Sequence, residues 1–301
     1  MSARRFVPST SPGSRLEAFG GAEWALLLAV ALMWGSSFLW IAEGVASFSP
    51  PVVSLTRLVL GALTLLAFRR HRVPVARDDW PQIVALSLVW MAVPFLLFPV
   101  AQQWVDSAIA GMINGATPLF AGLFAAMLLH RRPGPFQGIG LVVGFAGVVL
   151  IGLPAALEAE GSPLGIALLM LAAAMYGLAL NMAVPLQQRY GAFPVLLRAQ
   201  AVAIAVVLPF GAVGMASSQW SWKAAGAVVM LGVFSTGLAL VAATTLAGRA
   251  GATRGSIAIY FLPVVAMVLG VVVRNETIPP ASIIGAALVV VGAWLSSRSE
   301  S

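Results

Sequence analysis

Long apolar runs that carry almost no charge constrain the fold of this chain more than any other feature. Of its 301 residues, 60% are hydrophobic and only 9% are Asp, Glu, Lys or Arg, whereas soluble domains carry about 25% charged residues. The runs are long enough to cross a hydrocarbon core about 30 Å thick as helices, and they lack the alternation of a transmembrane β-strand. The sequence therefore predicts an all-α integral membrane protein.

Ten such runs, bounded by charges or by Pro and Gly clusters, predict ten transmembrane helices. The first is not a signal peptide, because it is long enough to span and no small-residue cleavage pattern follows it. Residues 1–21 are expected to form a disordered cytoplasmic tail. The predicted helices are 22–43, 51–69, 80–101, 107–129, 136–153, 162–186, 193–214, 224–247, 253–273 and 279–297.

The basic residues are unevenly shared between the predicted connections. With the N-terminus inside, 14 of the 17 Lys and Arg residues fall in cytoplasmic segments, while the outer connections hold only Lys223 and Arg274 and the second helix holds Arg57. This positive-inside pattern predicts a bacterial-type inner (plasma) membrane protein with both termini in the cytoplasm. It also accounts for the net charge of +7 without a nucleic-acid partner.

The second half of the sequence repeats the first. Residues 117–150 align without a gap on residues 262–295, so that Pro118 falls on Pro263. The triplets MWG and MYG, which begin at 33 and 175, also correspond.

Each half therefore contains five helices, and an odd number makes the second half enter the membrane from the opposite side. We predict two inverted-topology five-helix repeats, 22–155 and 156–298, with a binding site between them around a central cavity.

Two stretches of this sequence resemble the drug/metabolite transporter superfamily, in its EamA-type branch. WGSSFLWIAEGVASFSPPVVSLTRLVLGALTLL is similar to the first two helices of that family, and GATRGSIAIYFLPVVAMVLGVVVRNETIPPASIIGAALVVVGAWLSSR is similar to its last two. The resemblance covers residues 22–298 and implies a cavity lined by helices 1, 3, 4, 6, 8 and 9, with 2, 5, 7 and 10 outside them. It also implies an exporter of amino acids, related metabolites or drugs, and aromatic amino acid exporters are the members that it suggests first.

Three charged positions bear on that resemblance. Arg57 matches an arginine common in the second helix of the family, and Glu276 matches a glutamate at the end of the ninth. Arg131 stands where the first half often has a glutamate, so the resemblance does not imply a symmetric pair of carboxylates.

Two asparagines are candidate substrate contacts. Asn114 and Asn181 each lie four residues before a proline, Pro118 and Pro185, and a helical proline leaves the carbonyl at i−4 without its N–H partner. In lipid such a group must be satisfied by neighbours or face a watery cavity. The alternative is that each amide caps its own kink or bonds a neighbouring helix.

Aromatic and hydroxyl side chains complete the predicted cavity. Trp34 and Tyr176 are related by the repeat, and Ser37 shares a helix face with Trp34. Trp90 and Tyr260 would add aromatic walls, although aromatic residues in membranes also serve as packing and interface anchors. The predicted substrate-binding residues are Trp34, Ser37, Trp90, Asn114, Tyr176, Asn181 and Tyr260.

Two charged residues are candidates for a gate or a structural ion pair. Glu43 is expected at the outer boundary of the first helix, and Arg57 lies about two turns inside the second. An ionisable residue inside a span suggests a functional role. Arg57 could pair with Glu43 as a latch, snorkel to the surface or recognise a charge on the substrate.

The sequence contains few residues that could form an enzyme active site, and we expect neither a cofactor nor a metal. The chain has no cysteine, and its two histidines, His71 and His130, fall in predicted loops. Its only lysine precedes an alanine, so no phosphate-binding loop of the Walker type is present.

The sequence thus predicts a secondary transporter that exports small neutral or amphipathic metabolites, amino acids foremost, by alternating access. No carboxylate falls near the middle of a predicted helix, which favours facilitated export or coupling through an unrecognised residue. Alternatives are a multidrug exporter of lipophilic cations and a membrane accessory protein without a transport cycle. The expected partners are the solute and the lipid bilayer, and a monomer is sufficient.

Overall fold

The structure is a computed structural model in which every regular element of the described residues is helical. The predicted tail lies almost wholly outside those residues, as do both histidines, Arg131 and most of the arginines on which the predicted orientation depends. The described residues are 20–68, 73–128, 135–157, 162–250 and 257–296.

Helices follow the predicted apolar runs, because a backbone in lipid must satisfy its own hydrogen bonds. Each helix overlaps one predicted range. In chain order they are α1 (Gly21–Gly35 and Ser37–Val45), α2 (Pro50–Leu66), α3 (Arg77–Ala101), α4 (Ser107–Asn114 and Thr117–Leu128), α5 (Pro135–Leu157), α6 (Pro163–Tyr190), α7 (Ala192–Gly214), α8 (Trp222–Val229, Met230–Leu238 and Ala239–Ala250), α9 (Ile257–Tyr260 and Leu262–Arg274) and α10 (Pro280–Ser296).

Among the described residues, six helices are long and apolar enough to cross a membrane: α1, α3, α4, α6, α7 and α8. Shorter apolar segments of 10–17 residues lie in α2, α5, α9 and α10. Large apolar side chains such as Leu28, Val142, Val213 and Trp294 are exposed on the outside of the bundle. A water-soluble protein would bury much of this surface, so the fold is that of an integral membrane protein.

Five helices depart from regular α-helical geometry, beginning with α1, which is interrupted at Ser36. α4 is interrupted at 115–116 and α9 at Phe261, in both cases just before a proline, Pro118 or Pro263, that cannot donate to the carbonyl four residues earlier. α3 and α8 contain π-helical stretches, Leu88–Ala92 and Met230–Leu238. Such stretches are frequent at functional sites, and both of these face the interior of the bundle.

Glycines let α5 and α10 pack backbone against backbone. A Cβ built on Gly147 would lie 2.6 Å from the carbonyl oxygen of Gly285, and one built on Gly285 would lie 2.6 Å from the carbonyl oxygen of Gly147. A Cβ on Gly292 would lie 2.4 Å from the backbone nitrogen of Gly144. No larger residue fits this seam, which we call the glycine seam, without moving the two helices apart.

Candidate functional site

A cavity of about 120 Å³ lies in the middle of the bundle. Its lining residues come from α1, α2, α3, α4, α6, α8 and α9, and within the described part of the chain α5, α7 and α10 supply none. The resemblance implied six of these seven helices and placed α2 outside. An apolar cavity of about 150 Å³ accommodates benzene, so this cavity is a little smaller than one that holds a single aromatic ring.

Five of the predicted binding residues meet at this cavity. They are Trp34, Ser37, Trp90, Asn114 and Tyr176. The Tyr176 ring stacks on Phe98, with 5.6 Å between ring centroids, and the Ser37 hydroxyl donates to the carbonyl of Trp34 over 2.5 Å. Trp90 projects from the π-helical stretch of α3. Aromatic faces therefore form much of the cavity wall.

Asn114 provides a polar spot beside the break in α4. The hydroxyl of Thr117, on the far side of the break, lies 3.4 Å from the side-chain oxygen of Asn114, and both residues line the cavity. The interruption before Pro118 thus brings an amide and a hydroxyl to the same wall, where the sequence suggested Asn114 alone.

Asn181 and Tyr260 were predicted in the cavity, but the structure places neither in its lining. The amide nitrogen of Asn181 donates to the carbonyls of Ala121 and Gly177, each over 3.0 Å, and so ties α6 to α4. Tyr260 packs against the hydrophobic core that contains Phe38. Their neighbours Leu180 and Ile259 do line the cavity, and one residue along a helix turns the side chain by about 100°.

Arg57 reaches the cavity although it lies on α2. Its residue is only 7% exposed, its Nε donates to the hydroxyl of Thr236 over 2.9 Å, and its guanidinium carbon lies 3.7 Å from the centroid of the Phe95 ring. The described residues place no carboxylate within ion-pairing distance of it. The guanidinium is therefore a buried positive charge held by a hydroxyl and an aromatic face.

Ser235 and Thr236, just before Gly237, supply the polar part of the cavity wall that α8 contributes. The Thr236 hydroxyl, which accepts from Arg57, itself donates to the carbonyl of Leu231 over 2.9 Å, a spacing that the π-helical stretch allows. Ser235 is 1% exposed and lines the cavity, and its hydroxyl finds no hydrogen-bond partner among the described residues. Buried hydroxyls are nearly always partnered, which makes Ser235 unusual.

Glu43 does not pair with Arg57, so the predicted latch between them is wrong. Its two carboxylate oxygens instead contact Arg274, at 2.6 Å, and Lys223, at 2.7 Å. Glu43 lies in the last turn of α1, where it meets the end of α9 and the start of α8. Arg57 projects toward Thr236 in the middle of the bundle.

Glu276 extends this ion pair to α4. One of its carboxylate oxygens accepts from the backbone N–H and the hydroxyl of Ser107, at 3.1 and 2.7 Å, and the other accepts from the N–H of Ala108 at 2.9 Å. Arg274 bridges the two glutamates, since its Nε lies 3.1 Å from Glu276. A carboxylate at a helix N-terminus is favoured by the helix dipole. We call Glu43, Lys223, Arg274, Glu276 and Ser107 the Glu43 network.

A second, smaller ion pair lies where α3 begins and α6 ends. Arg189 contacts the carboxylate of Asp79 at 2.6 Å, and the Tyr190 hydroxyl also donates to that carboxylate. The contact joins the beginning of one helix to the end of another. Since Asp79 is 7% exposed while the Arg189 side chain is 60% exposed, the carboxylate is the shielded partner.

Sequence reasoning missed several cavity residues. Phe95, Phe98, Ser235 and Thr236 all line it, and none was singled out. For the last two a signal was present, because a serine and a threonine stand side by side in the middle of an apolar run in α8. The two phenylalanines carry no such signal, since they are ordinary in a membrane helix.

Comparison with known proteins supports one family. The sequence model of the EamA-like transporter family matches residues 22–153 and 163–298. A probable terminal-alkyne amino-acid exporter of Streptantibioticus cattleyicolor is 27% identical, over 92% of this chain and 93% of that protein. An uncharacterized transporter of Archaeoglobus fulgidus is 22% identical, over 92% and 99%. The uncharacterized inner membrane transporter YedA of Escherichia coli K12 is 26% identical, over 84% and 83%.

The fold is also found among solved structures. One crystal structure of a protein 20% identical in sequence superposes with a TM-score of 0.61, covering 92% of this chain and 96% of the other. This likeness concerns the arrangement of the helices alone.

Proposed function

Because this chain belongs to the EamA-like transporter family, we propose that it carries a small amphipathic solute, an amino acid or a closely related metabolite, out of the cell through its central cavity. That it is a membrane transporter follows from the family. The observation that supports the solute class is the cavity itself, in which aromatic faces, an amide and hydroxyls surround a space of about 120 Å³. An amphipathic molecule matches such a lining better than a highly charged one.

We propose further that ten helices span the membrane as two inverted five-helix repeats, 22–155 and 156–298. Three features support this arrangement. α4 and α9 break before the repeat-related Pro118 and Pro263, α3 and α8 both carry π-helical stretches, and the glycine seam joins the last helix of each half. Inverted repeats with a site near the midplane are the plan of many secondary transporters.

Transport would proceed by alternating access, with the Glu43 network as the closure at one end of the cavity. The network ties α1 and α4, from the first half, to α8 and α9, from the second. Glu43 lies two positions after Ile41, which lines the cavity. Breaking these contacts would let the two halves separate at that end. The contact of Asp79 with Arg189 would hold the halves together at the other end.

In the same proposal the Glu43 network faces the outside and both termini lie in the cytoplasm of the plasma membrane. Among the described residues, Arg77, Arg189 and Arg198 lie at the end of the bundle that contains Asp79, in keeping with a cytoplasmic surface. The protein is proposed to work as a monomer, since the two halves enclose the cavity by themselves. No nucleic acid, cofactor or obligate protein partner is part of the proposal.

A multidrug exporter of lipophilic cations is a weaker candidate. Recognition of such cations uses acidic or aromatic cages, and the cavity does have aromatic walls. However, Arg57 lines it, and no carboxylate does within the described residues. A buried positive charge repels a cation in a low-dielectric site.

Counterflow in liposomes tests the proposed function. The purified chain is reconstituted, and uptake of radiolabelled phenylalanine, leucine and alanine is measured with and without a proton gradient. We expect selective counterflow of the larger amino acids that does not depend on the gradient. Dependence on the gradient would mean that a coupling residue exists, and counterflow of lipophilic cations alone would establish the drug exporter instead.

A matched pair of variants on α3 tests whether transport depends on the cavity wall. Trp90→Leu alters the cavity wall, whereas Trp80→Leu changes a 40% exposed tryptophan at the start of the same helix. Counterflow should fall in the first variant and persist in the second. Equal counterflow in both variants would mean that transport does not depend on this wall of the cavity. No counterflow of any solute by folded protein would overturn the assignment and favour a membrane accessory protein.

A further inference from the structure

Arg57 is a buried charge without a counter-ion among the residues that the structure describes. A guanidinium stays protonated in proteins, and a buried ion without a partner is strongly disfavoured. Such a residue inside a membrane protein faces a water-filled cavity or an ion path. Arg57 meets this condition, since it lines the central cavity.

We propose that Arg57 binds the carboxylate of the transported solute, so that the cavity selects amphipathic organic acids, amino acids included, and rejects amines that lack a carboxylate. This inference rests on the proposed function, because it names the group by which the same cavity recognises its solute.

The geometry of the guanidinium supports this role. Its Nε is already bonded to Thr236, at 2.9 Å, and its flat face rests on Phe95. The two terminal nitrogens receive no hydrogen-bond partner from the described residues. These nitrogens form the fork that binds a carboxylate with two parallel hydrogen bonds. Thr236 and Phe95 therefore fix the orientation of Arg57 and leave the fork open.

Ser235 provides an independent sign that a polar ligand belongs here. Its hydroxyl is buried, unpartnered among the described residues and part of the cavity wall, and it is adjacent in sequence to the threonine that holds Arg57. A carboxylate oxygen in the cavity would accept the proton that Ser235 has to donate. One carboxylate in the cavity would therefore supply both the counter-ion that Arg57 lacks and an acceptor for the hydroxyl of Ser235.

The remaining walls suit the rest of an amphipathic acid. Trp34, Trp90, Phe98 and Tyr176 offer apolar and aromatic surface. An ammonium group would find there ring faces, hydroxyls and the side-chain oxygen of Asn114 but no counter-ion, because the described lining contains no carboxylate. The carboxylate is therefore the charged group that this cavity recognises.

A competitor series on the unmodified protein tests the inference without any variant. Purified full-length protein in detergent is heated with 3-phenylpropionate, N-acetylphenylalanine, phenethylamine or phenylalaninamide, and the shift of its unfolding temperature reports binding. The same compounds then compete against radiolabelled phenylalanine in liposome counterflow. We expect both acids to stabilise and to compete, and both amines to require a concentration about 10- to 100-fold higher.

The two readouts separate the two proposals. Amines that bind or compete as well as the acids would overturn carboxylate recognition while leaving transport intact. Stabilisation by the acids without counterflow of any solute would refute transport and keep Arg57 as an acid-binding residue. Stabilisation by neither class, together with no counterflow of any solute, would overturn both.

Variants then assign the effect to Arg57. Arg57→Gln should remove the preference for acids, weakening their binding about 10- to 100-fold, and Arg57→Lys should restore part of it, since Lys keeps the charge but not the fork. Arg198→Gln is the matched control, because Arg198 bonds to the carbonyls of Pro194 and Val73 and not to the cavity. A folded Arg57→Gln protein with an unchanged preference for acids would refute the role of this residue.

Discussion

Two buried charges, Glu43 and Arg57, show two different uses of an ion inside this protein. Both residues are 7% exposed. Glu43 has two cationic partners, Lys223 and Arg274, and through them joins α1 to α8 and α9. Arg57 has a hydroxyl and a ring as neighbours and, within the described residues, no carboxylate.

The difference teaches that exposure alone does not tell what a buried charge does. A charge whose counter-ions come from the protein holds helices together, and its removal leaves those counter-ions unpaired. A charge without a protein counter-ion is available to a ligand. We therefore expect changes at Glu43 to alter stability and closure, and changes at Arg57 to alter which solutes bind.

Reversing the charge at Arg57 is the strongest way to break this comparison. Arg57→Glu would place a carboxylate where we expect the carboxylate of the solute, and such like-charge contacts cost several kcal/mol. Counterflow of phenylalanine should fall by about 100-fold or more, and phenethylamine should become a better competitor. Arg198→Glu makes the same change of charge outside the cavity and controls for it. Undiminished transport of acids by folded Arg57→Glu protein would mean that Arg57 is a structural charge like Glu43.

Removing the Glu43 carboxylate should mainly lower the stability of the protein. Glu43→Ala leaves the partly buried Arg274 without one of its carboxylates, and we expect the free energy of unfolding to fall by about 2 kcal/mol. Unfolding of the protein in mixed micelles with increasing SDS measures this change. Asp78→Ala is the control, since Asp78 is an exposed carboxylate one residue from the shielded Asp79. Equal stability of both variants would show that the Glu43 network adds nothing to the fold.

Closure at the Glu43 end can be followed with a single thiol, because the chain has no cysteine of its own. Ser37→Cys places a thiol in the cavity wall. Adding Glu43→Gln should weaken the network and speed its labelling by a membrane-impermeant maleimide about fivefold. Ser217→Cys, an exposed position outside the cavity, should label at one rate in both backgrounds. If Ser37→Cys is labelled at the same rate with and without Glu43→Gln, the Glu43 network does not close the cavity.

The smallest effect is expected at Lys223. Its side chain is 78% exposed, against 31% for Arg274, and exposed ion pairs contribute about 0–1 kcal/mol. Lys223→Ala should lower the free energy of unfolding less than Arg274→Ala does, and the difference from the unaltered protein should vanish in about 1 M salt. A larger loss at Lys223 than at Arg274 would reverse the order of importance within the network.

The helices and much of the cavity could be predicted from the sequence. Apolar runs of transmembrane length have one stable outcome in lipid, so the helix ranges follow directly. Trp34, Ser37, Asn114 and Tyr176 were identified because they are repeat-related, share a helix face or precede a helix-breaking proline. Trp90 was identified as an aromatic residue on a helix that the family resemblance placed at the cavity. Each of these signals can be read directly from a single sequence.

The errors concern which way a side chain faces and what it meets across the bundle. α6 and the start of α9 are apolar on all sides, so hydrophobic periodicity does not tell Asn181 from Leu180 or Tyr260 from Ile259. The partner that bonds Glu43 most closely, Arg274, is 231 residues away along the chain, whereas Arg57, the partner considered from the sequence, is only 14 residues away. Contacts between helices depend on packing, which a single sequence does not record.

The glycine seam between α5 and α10 has a consequence for how a protein of this kind can diverge. At Gly147, Gly285 and Gly292 backbones touch, so every substitution there is a change to the fold, whatever is carried. The cavity wall is built from side chains on other helices, so we expect a change such as Trp90 to a smaller residue to alter the cavity without loosening the seam. The residues that hold the helices together and the residues that line the cavity can therefore change independently in evolution. One helical architecture could then accommodate many different metabolites.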